Sequence, residues 1–211
     1  QLLLDPQKNI LVVSASKNRA DDFSTFTLRI IHEMEILGHL KPNDKQRFSK
    51  ISFDVGPAQA SHAPSVKSLG ITSQLTGSRA DIIVADDVEV PNNSATQSMR
   101  DKLSEQVKEF EAILKPNDDS RILFLGTPQC EDSIYNKMLE RDYETRIWPA
   151  KKIGVEKSEK IYQGNIAASC VDEEGIGDPT EPTRFSEIDL AEREASYGKS
   201  GFAMQFMLDP K

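Results

Sequence analysis

Only two cysteines, Cys130 and Cys170, occur in the 211 residues. They stand far apart and outside any CxxC spacing, which speaks against a disulfide framework or a cysteine zinc site and for buried thiols in a reducing compartment. No apolar run approaches the roughly 20 residues of a membrane helix, and Leu2-Leu3-Leu4 is too short for the core of a signal peptide. The chain has three histidines, and His62 lies in a polar stretch with no other histidine nearby, so it is expected at the surface rather than on a metal. Positive charge is also short: 26 basic against 34 acidic side chains give −8. That argues against a dedicated nucleic-acid-binding domain but leaves room for a local basic face. Internal repeats and low-complexity tracts are missing. So is GxxxxGK(S/T), the pattern whose backbone amides cradle nucleotide phosphates.

What is present suits one sizeable globular core, at 37% hydrophobic and 28% charged residues. The start at Gln1, and Leu2 to Leu4 stopped by Asp5-Pro6 in the manner of a helix end, suggest a fragment. The stretch that organises the rest is Thr76-Gly77-Ser78-Arg79-Ala80-Asp81 followed by Ile82-Ile83-Val84-Ala85 and then Asp86-Asp87-Val88-Glu89. A short β-branched run of this kind is a strand buried on both faces of a parallel sheet. Ligands of open α/β sheets sit beyond the carboxyl ends of the strands, where Asp86, Asp87 and Glu89 would emerge. Two acids there have the form of a Walker B motif, with one carboxylate for the Mg²⁺ of a nucleotide and the next to polarise water. Capping of a following turn explains the same acids equally well. In an extended strand Asp86 and Asp87 point to opposite sides, and the turn signalled by Pro91 swings Glu89 away.

Asn9 to Ser16 is a second strand, ending in Ser14-Ala15-Ser16. Asp21 or Asp22 then caps a helix whose buried face is Phe23, Phe26, Ile30, Ile31, Met34 and Leu37, closed by Gly38. Lys41, Lys45, Arg47 and Lys50 face a single acid, Asp44, in either a solvated loop or a binding face. Ile51-Ser52-Phe53 and the alternating Ser65 to Ile71 are expected to pair around the loop 56–64. Ser94 caps a helix carrying Met99, Leu103, Val107, Phe110, Ile113 and Leu114 on one face. Arg121 to Leu125 is a third buried strand, running into Gly126-Thr127-Pro128-Gln129. Ile134 to Leu139 is helical, and Glu144 to Pro149 is a fourth short strand. From Ala150 the chain is loop-rich, with Lys151, Lys152, Lys157 and Lys160 before Asp172-Glu173-Glu174. A charged helix from Ser186 to Tyr197 and an amphipathic tail Gly201 to Leu208 follow.

Three strands ending in Ser14-Ala15-Ser16, Asp86-Asp87 and Gly126-Thr127-Pro128 would converge on one edge, as in a RecA-like P-loop NTPase (ASCE) core. The expected fold is α/β, a mostly parallel sheet flanked by helices with a small loop-rich C-terminal lobe. Residues 1–150 are read as the core without its P-loop, and 151–211 as a C-terminal subdomain or linker. The phosphate-cradling loop would lie one strand-loop-helix unit before Ile10.

Several segments resemble phage large terminase subunits. Ile10 to Lys17 with Arg19-Ala20-Asp21 is similar to the segment after their P-loop helix. Ser52 to Pro57, Pro64 to Ser68, Gln74 to Glu89, Leu125 to Gln129, Tyr197 to Phe202 and Gln205 to Leu208 resemble the short-tailed podophage branch, whose subunit is also called DNA maturase B. The likeness is collinear and fails only over Lys151 to Asp178. It implies an ATP hydrolase of a DNA-packaging motor, with ATP and Mg²⁺ as cofactors. The implied partners are double-stranded DNA, the portal and procapsid, a small terminase subunit and further copies in a ring, in the host cytoplasm and without a membrane. Asp86 matches the metal carboxylate. Asp87 stands where most terminases have Glu, so the base is Asp87 or Glu89. Thr127 falls in the coupling motif with Gln129 beside it, and Arg79 is an arginine finger or a partner of Asp81. Without the P-loop this stretch is expected to be inactive alone. The competing functions are a helicase-like lobe, from whose usual Ser-Ala-Thr the segment Gly126-Thr127-Pro128-Gln129 departs, a nuclease using Asp86, Asp87 and Glu89, and a non-catalytic remnant.

Overall fold

The computed structural model describes residues Gln1 to Pro210, in two compact units that divide between Gly126 and Thr127. The boundary near 150 read from composition lies inside the second unit.

The first unit is built on β1 (Ile10–Ser14), α1 (Lys17–Glu33), β2 (Phe48–Ser49), β3 (Ser52–Phe53), β4 (Val66–Gly70), β5 (Ile82–Asp86), α2 (Pro91–Ser94), α3 (Gln97–Ile113) and β6 (Arg121–Leu125). The sheet order is β2-β3-β4-β1-β5-β6. β4, β1, β5 and β6 run parallel, and the hairpin β2–β3 adds antiparallel to β4. The sheet is therefore mixed, with its parallel part where the apolar runs are. β3 and β4 pair as expected, Phe53 beside Val66, and β4 alternates buried and half-buried residues.

Both long helices start on residues other than those expected. Ser16, whose hydroxyl accepts from the Arg19 N–H, caps α1 in place of Asp21 or Asp22. Thr96 caps α3 in place of Ser94, whose hydroxyl instead donates to the Val90 carbonyl. A hydroxyl directly before the first helical residue satisfies an orphan amide that a carboxylate several residues later cannot reach. Asp21 instead receives Lys17 and the Ser68 hydroxyl. Gly70 is fixed by proximity, because a Cβ there would come 2.8 Å from the Lys17 backbone nitrogen.

α1 and α3 cover opposite faces. Leu28 and Ile31 of α1 pack in one cluster with Val12, Phe53 and Val66. On the other side Phe110 of α3 meets Phe124, with ring centroids 5.9 Å apart. Val12, Val84 and Leu123 share a register row on the α1 face. Burial falls along that row: Val12 is fully buried, Val84 half-buried and Leu123 44% exposed. In the next row Ser14 is buried and Leu125 is 53% exposed. β6 is thus the last strand of the sheet, with one face bare, and not the doubly covered strand its composition suggested. The expected face of α1 holds at Ile31, which is buried, and at Leu37, which packs against the same cluster, but Phe23, Phe26 and Met34 are exposed while Ala20 and Ser24 are buried.

The amino ends of the parallel strands are tied by Asp81. Its buried carboxylate accepts from the Asn9 N–H at 2.8 Å, Lys115 Nζ at 2.8 Å and Asn117 Nδ2 at 2.9 Å. Burial pushes this carboxyl up, but the Lys115 hydrogen bond, the Asn9 amide and the charges of Lys115 and Lys8 outweigh it and hold it below its ordinary value.

In the second unit α4 (Ile134–Met138), α5 (Val155–Tyr162) and α6 (Glu187–Gln205) are joined by long connections. The strand expected over Glu144 to Pro149 is only a single bridge, Ile147 to Ile166. The core gathers Ile153, Tyr162, Cys170, Leu190, Phe202 and Met207, and the Tyr162 hydroxyl donates to the Met207 carbonyl at 2.6 Å. Ser186 and Asp189 form a capping box at the start of α6. At Gly198, φ +69° breaks the helix between the charged part and the amphipathic tail read from the sequence. Among the described residues no helix is long and apolar enough to cross a membrane.

Candidate functional site

The carboxyl ends of β1 and β5 lie side by side, with Ser14 in register with Asp86 and Asp86 with Leu125. Even-numbered residues of β5 share the α1 face with Val12 and Ser14, so the Asp86 carboxylate projects on that side. Its pKa is raised, first by burial and then by the neighbouring Asp87, with Arg19 partly opposing. Beside it Ser14 is 1% exposed, and its hydroxyl has no hydrogen-bond partner among the described residues. A carboxylate short of compensating charge next to an orphaned hydroxyl is a donor set for a hard cation or its water. This is the set Mg²⁺ takes when nucleotide phosphates supply the remaining oxygens, so the residues fit the metal the motif implies.

Asp87 does not follow the alternation expected of an extended strand. It is left-handed, at φ +46°, a conformation Asp tolerates better than most residues. Its backbone is held from both sides, the N–H donating to the Leu125 carbonyl at 2.9 Å and the carbonyl accepting from the Ala15 N–H at 3.2 Å. The left-handed turn sends its carboxylate toward α1, where Oδ2 lies 3.3 Å from Arg19 Nη1. The two acids therefore share a side, which corrects the reading that they diverge.

Glu89 is only 1% exposed. It lies in the interior, just before the helix that begins at Pro91. Among the described residues no group of three His, Cys, Asp or Glu side chains could hold a metal ion. Asp86, Asp87 and Glu89 do not make the multi-carboxylate cage of a metal-dependent nuclease.

Arg79 is not brought to this edge. The chain runs from Arg79 through all of β5 before Asp86, roughly 20 Å at about 3.3 Å per residue. Its Nη1 donates to the Ser78 carbonyl, while Asp81, its other expected partner, is engaged by Lys115. Thr127 and Gln129 open the second unit, where Gln129 Nε2 donates to the Thr127 carbonyl at 3.0 Å. Arg19 was not singled out from sequence as a site residue. Its only local signal is a cation in the first turn after the Ser16 cap, and its meaning depends on the turn at Asp87.

Of the basic segment, Arg47 is used internally, pairing with Asp54 and donating to the carbonyls of Ser61 and His62. Lys41, Lys45 and Lys50 are exposed.

No protein-family model matches the chain. The terminase large subunit of Enterobacteria phage T3 is 54% identical over 214 residues, covering 98% of this chain. The chain spans 36% of that relative's length.

Proposed function

Since the chain belongs, along nearly all of its length, with the large subunits of phage terminases, we propose that it is a segment of a RecA-like ATPase motor domain coupling ATP hydrolysis to the movement of double-stranded DNA into a procapsid. The observation that carries this reading is the shared edge of β1 and β5. There the orphaned Ser14 hydroxyl, the charge-starved Asp86 and the turned-out Asp87 stand beside the bare face of β5 and β6. Asp86 would hold Mg²⁺ and Asp87 would orient and deprotonate the attacking water. The bound metal would supply neutralisation of phosphate charge.

The bare face supports the same reading. Arg19, Phe23, Phe26 and Ile30 fall four, three and four residues apart, on one stripe of α1. Arg19 reaches Asp87 just past β5, so this stripe looks across the sheet toward β5. Phe26 of this stripe is 64% exposed, and Leu123 and Leu125 on the α1 face of the sheet are exposed as well. A strand extending the sheet past β6, followed by a helix returning to β1, is right-handed only if that helix lies on the α1 face. That is the face left bare. The part of a full-length subunit beyond these residues would supply this βα unit and, with it, the phosphate-cradling loop. Turnover therefore belongs to the full-length protein.

The partners in this reading are double-stranded DNA, the portal and procapsid in the infected host's cytoplasm, the small terminase subunit and further copies of the subunit in a ring. Lys41, Lys45 and Lys50 are the exposed cations offered to DNA. Replacing all three by Ala in the full-length subunit, with Arg47 kept because it is structural, should weaken DNA binding and DNA-stimulated ATP hydrolysis. The slope of log affinity against log salt should fall by up to about 0.9 per lost phosphate contact. An unchanged slope and unchanged stimulation would return the segment to a solvated loop.

A further inference from the structure

The second unit carries two patches of opposite charge, each with apolar side chains turned to solvent. The first is an open cleft of about 560 Å³ at the start of α5, lined by Gly154, Glu156, Lys157, Lys160, Ile161 and Ile176. Of the lysines in this part of the chain, Lys151 is engaged by Glu194 at 2.8 Å and Lys152 by Asp172 at 2.9 Å. Lys157 and Lys160 are exposed and have no ion-pair partner among the described residues. Glu173 also borders the cleft, but its Oε1 accepts from the Val155 N–H at 2.6 Å and closes the amino end of α5. Glu156 is then the one uncommitted acid beside two uncommitted ammonium groups. A Cβ at Gly154 would come 2.9 Å from Glu173 and 3.1 Å from Ile176, so the bare backbone there lets the 173–176 loop lie over the helix start. Val155 and Ile176 stand at this opening, 52% and 60% exposed.

The second patch is the outer stripe of α6. Ile188, Ala191, Glu192 and Ala195 occupy positions i, i+3, i+4 and i+7, and all four are exposed, with Glu187 beside them. Ile188 is 72% exposed. The other acids of this helix are engaged, Asp189 by Ser186 in the cap and Glu194 by Lys151. Glu187 and Glu192 have no ion-pair partner among the described residues. Both patches belong to one compact unit, and Ile188 does not line its own chain's cleft, so a copy does not fill its own socket.

We propose that the α6 stripe of one copy docks into the α5 cleft of the next, Ile188 against Val155 and Ile176, with Glu187 and Glu192 facing Lys157 and Lys160. Charge selects this occupant. DNA would be repelled by the stripe, whereas the stripe and the cleft complement each other and occur on the same chain. A knob and a socket on separate patches make a head-to-tail contact, the kind that generates rings. The proposal rests on the reading of the chain as part of a ring-forming motor, and it assigns the surfaces through which the copies meet.

The test uses the full-length subunit with procapsids and DNA, and follows DNA packaging together with unstimulated ATP turnover. Glu187→Lys with Glu192→Lys reverses the stripe, and Lys157→Glu with Lys160→Glu reverses the cleft. Each reversed subunit should package at least about tenfold less DNA, because like charges then face each other across the contact, while unstimulated turnover stays at the wild-type rate. Ile188→Ala, which removes the knob and changes no charge, should lower packaging in the same direction. The subunit carrying all four reversals should regain most of the packaging, since every contact is again between opposite charges. Patches that serve other partners, such as the portal or DNA, would gain nothing from the combined reversal. That result, or wild-type packaging by either reversed subunit or by Ile188→Ala, overturns the proposal while an active wild type leaves the motor reading standing. If wild type neither hydrolyses ATP nor packages DNA, the motor reading falls and the interface with it.

Discussion

Asp87→Asn in the full-length subunit should leave ATP binding near normal while cutting steady-state turnover by roughly 10²-fold or more, the usual scale for losing a general base. Asn keeps the shape and tolerates the left-handed backbone, so the tether to Leu125 and Ala15 should persist. Only the ability to accept a proton is removed. Glu89→Gln makes the informative contrast. Glu89 is buried, so its replacement should register in unfolding rather than in kcat. If Asp87 is the base, its reach, shorter than that of Glu, would be met by the turn at φ +46°. If Glu89→Gln abolishes turnover and Asp87→Asn does not, the base is Glu89 and Asp87 serves the metal site.

The second large effect lies at the opposite end of the same strands. Asp81→Ala strands a buried backbone amide at Asn9, the Lys115 ammonium and the Asn117 side-chain amide together. Lys115 is partly exposed and recovers some hydration, so the cost should be about 2–4 kcal/mol. In urea unfolding of the 211-residue chain followed by far-ultraviolet circular dichroism, the midpoint of the first unit should fall accordingly. The pH dependence has a definite sign. The folded-state pKa of Asp81 is lowered, so its contribution is complete above the unfolded-state value of about 3.9 and is lost as pH falls through the folded-state value. Wild type and Asp81→Ala should converge in stability only at that acid end. A stability gap that persists unchanged below the carboxylate range would mean Asp81 acts through packing rather than charge.

β1 and β5 were legible in sequence because a run such as Ile82 to Ala85 has few alternatives to a largely buried strand, although Val84 is only half-buried. Arg121 to Leu125 carries the same kind of run and lies bare on one side. Composition records that a face is apolar, not whether the covering element is present. Phe23, Phe26 and Ile30 do fall at helical spacing, but Phe23 and Phe26 are exposed, whereas Ile31 and Leu37 join the core. The caps were misplaced because Ser16 and Thr96, directly before their helices, outcompete acids and hydroxyls a few residues away. Asp86 was legible as the acid ending a strand. The side on which Asp87 emerges was not, since alternation assumes extended backbone and one left-handed residue reverses it. Arg19 became visible only through that reversal.

The central claim is that Asp86 serves a metal–nucleotide site at the end of β5, and Mg²⁺ titration of ATP hydrolysis by the full-length subunit tests it most directly. Wild type should require Mg²⁺ for turnover. Asp86→Asn, which removes a strained charge without changing shape, should need far more Mg²⁺ or lose hydrolysis altogether, while unfolding no more easily than wild type. An Asp86→Asn subunit with wild-type turnover and an unchanged Mg²⁺ requirement would contradict the account.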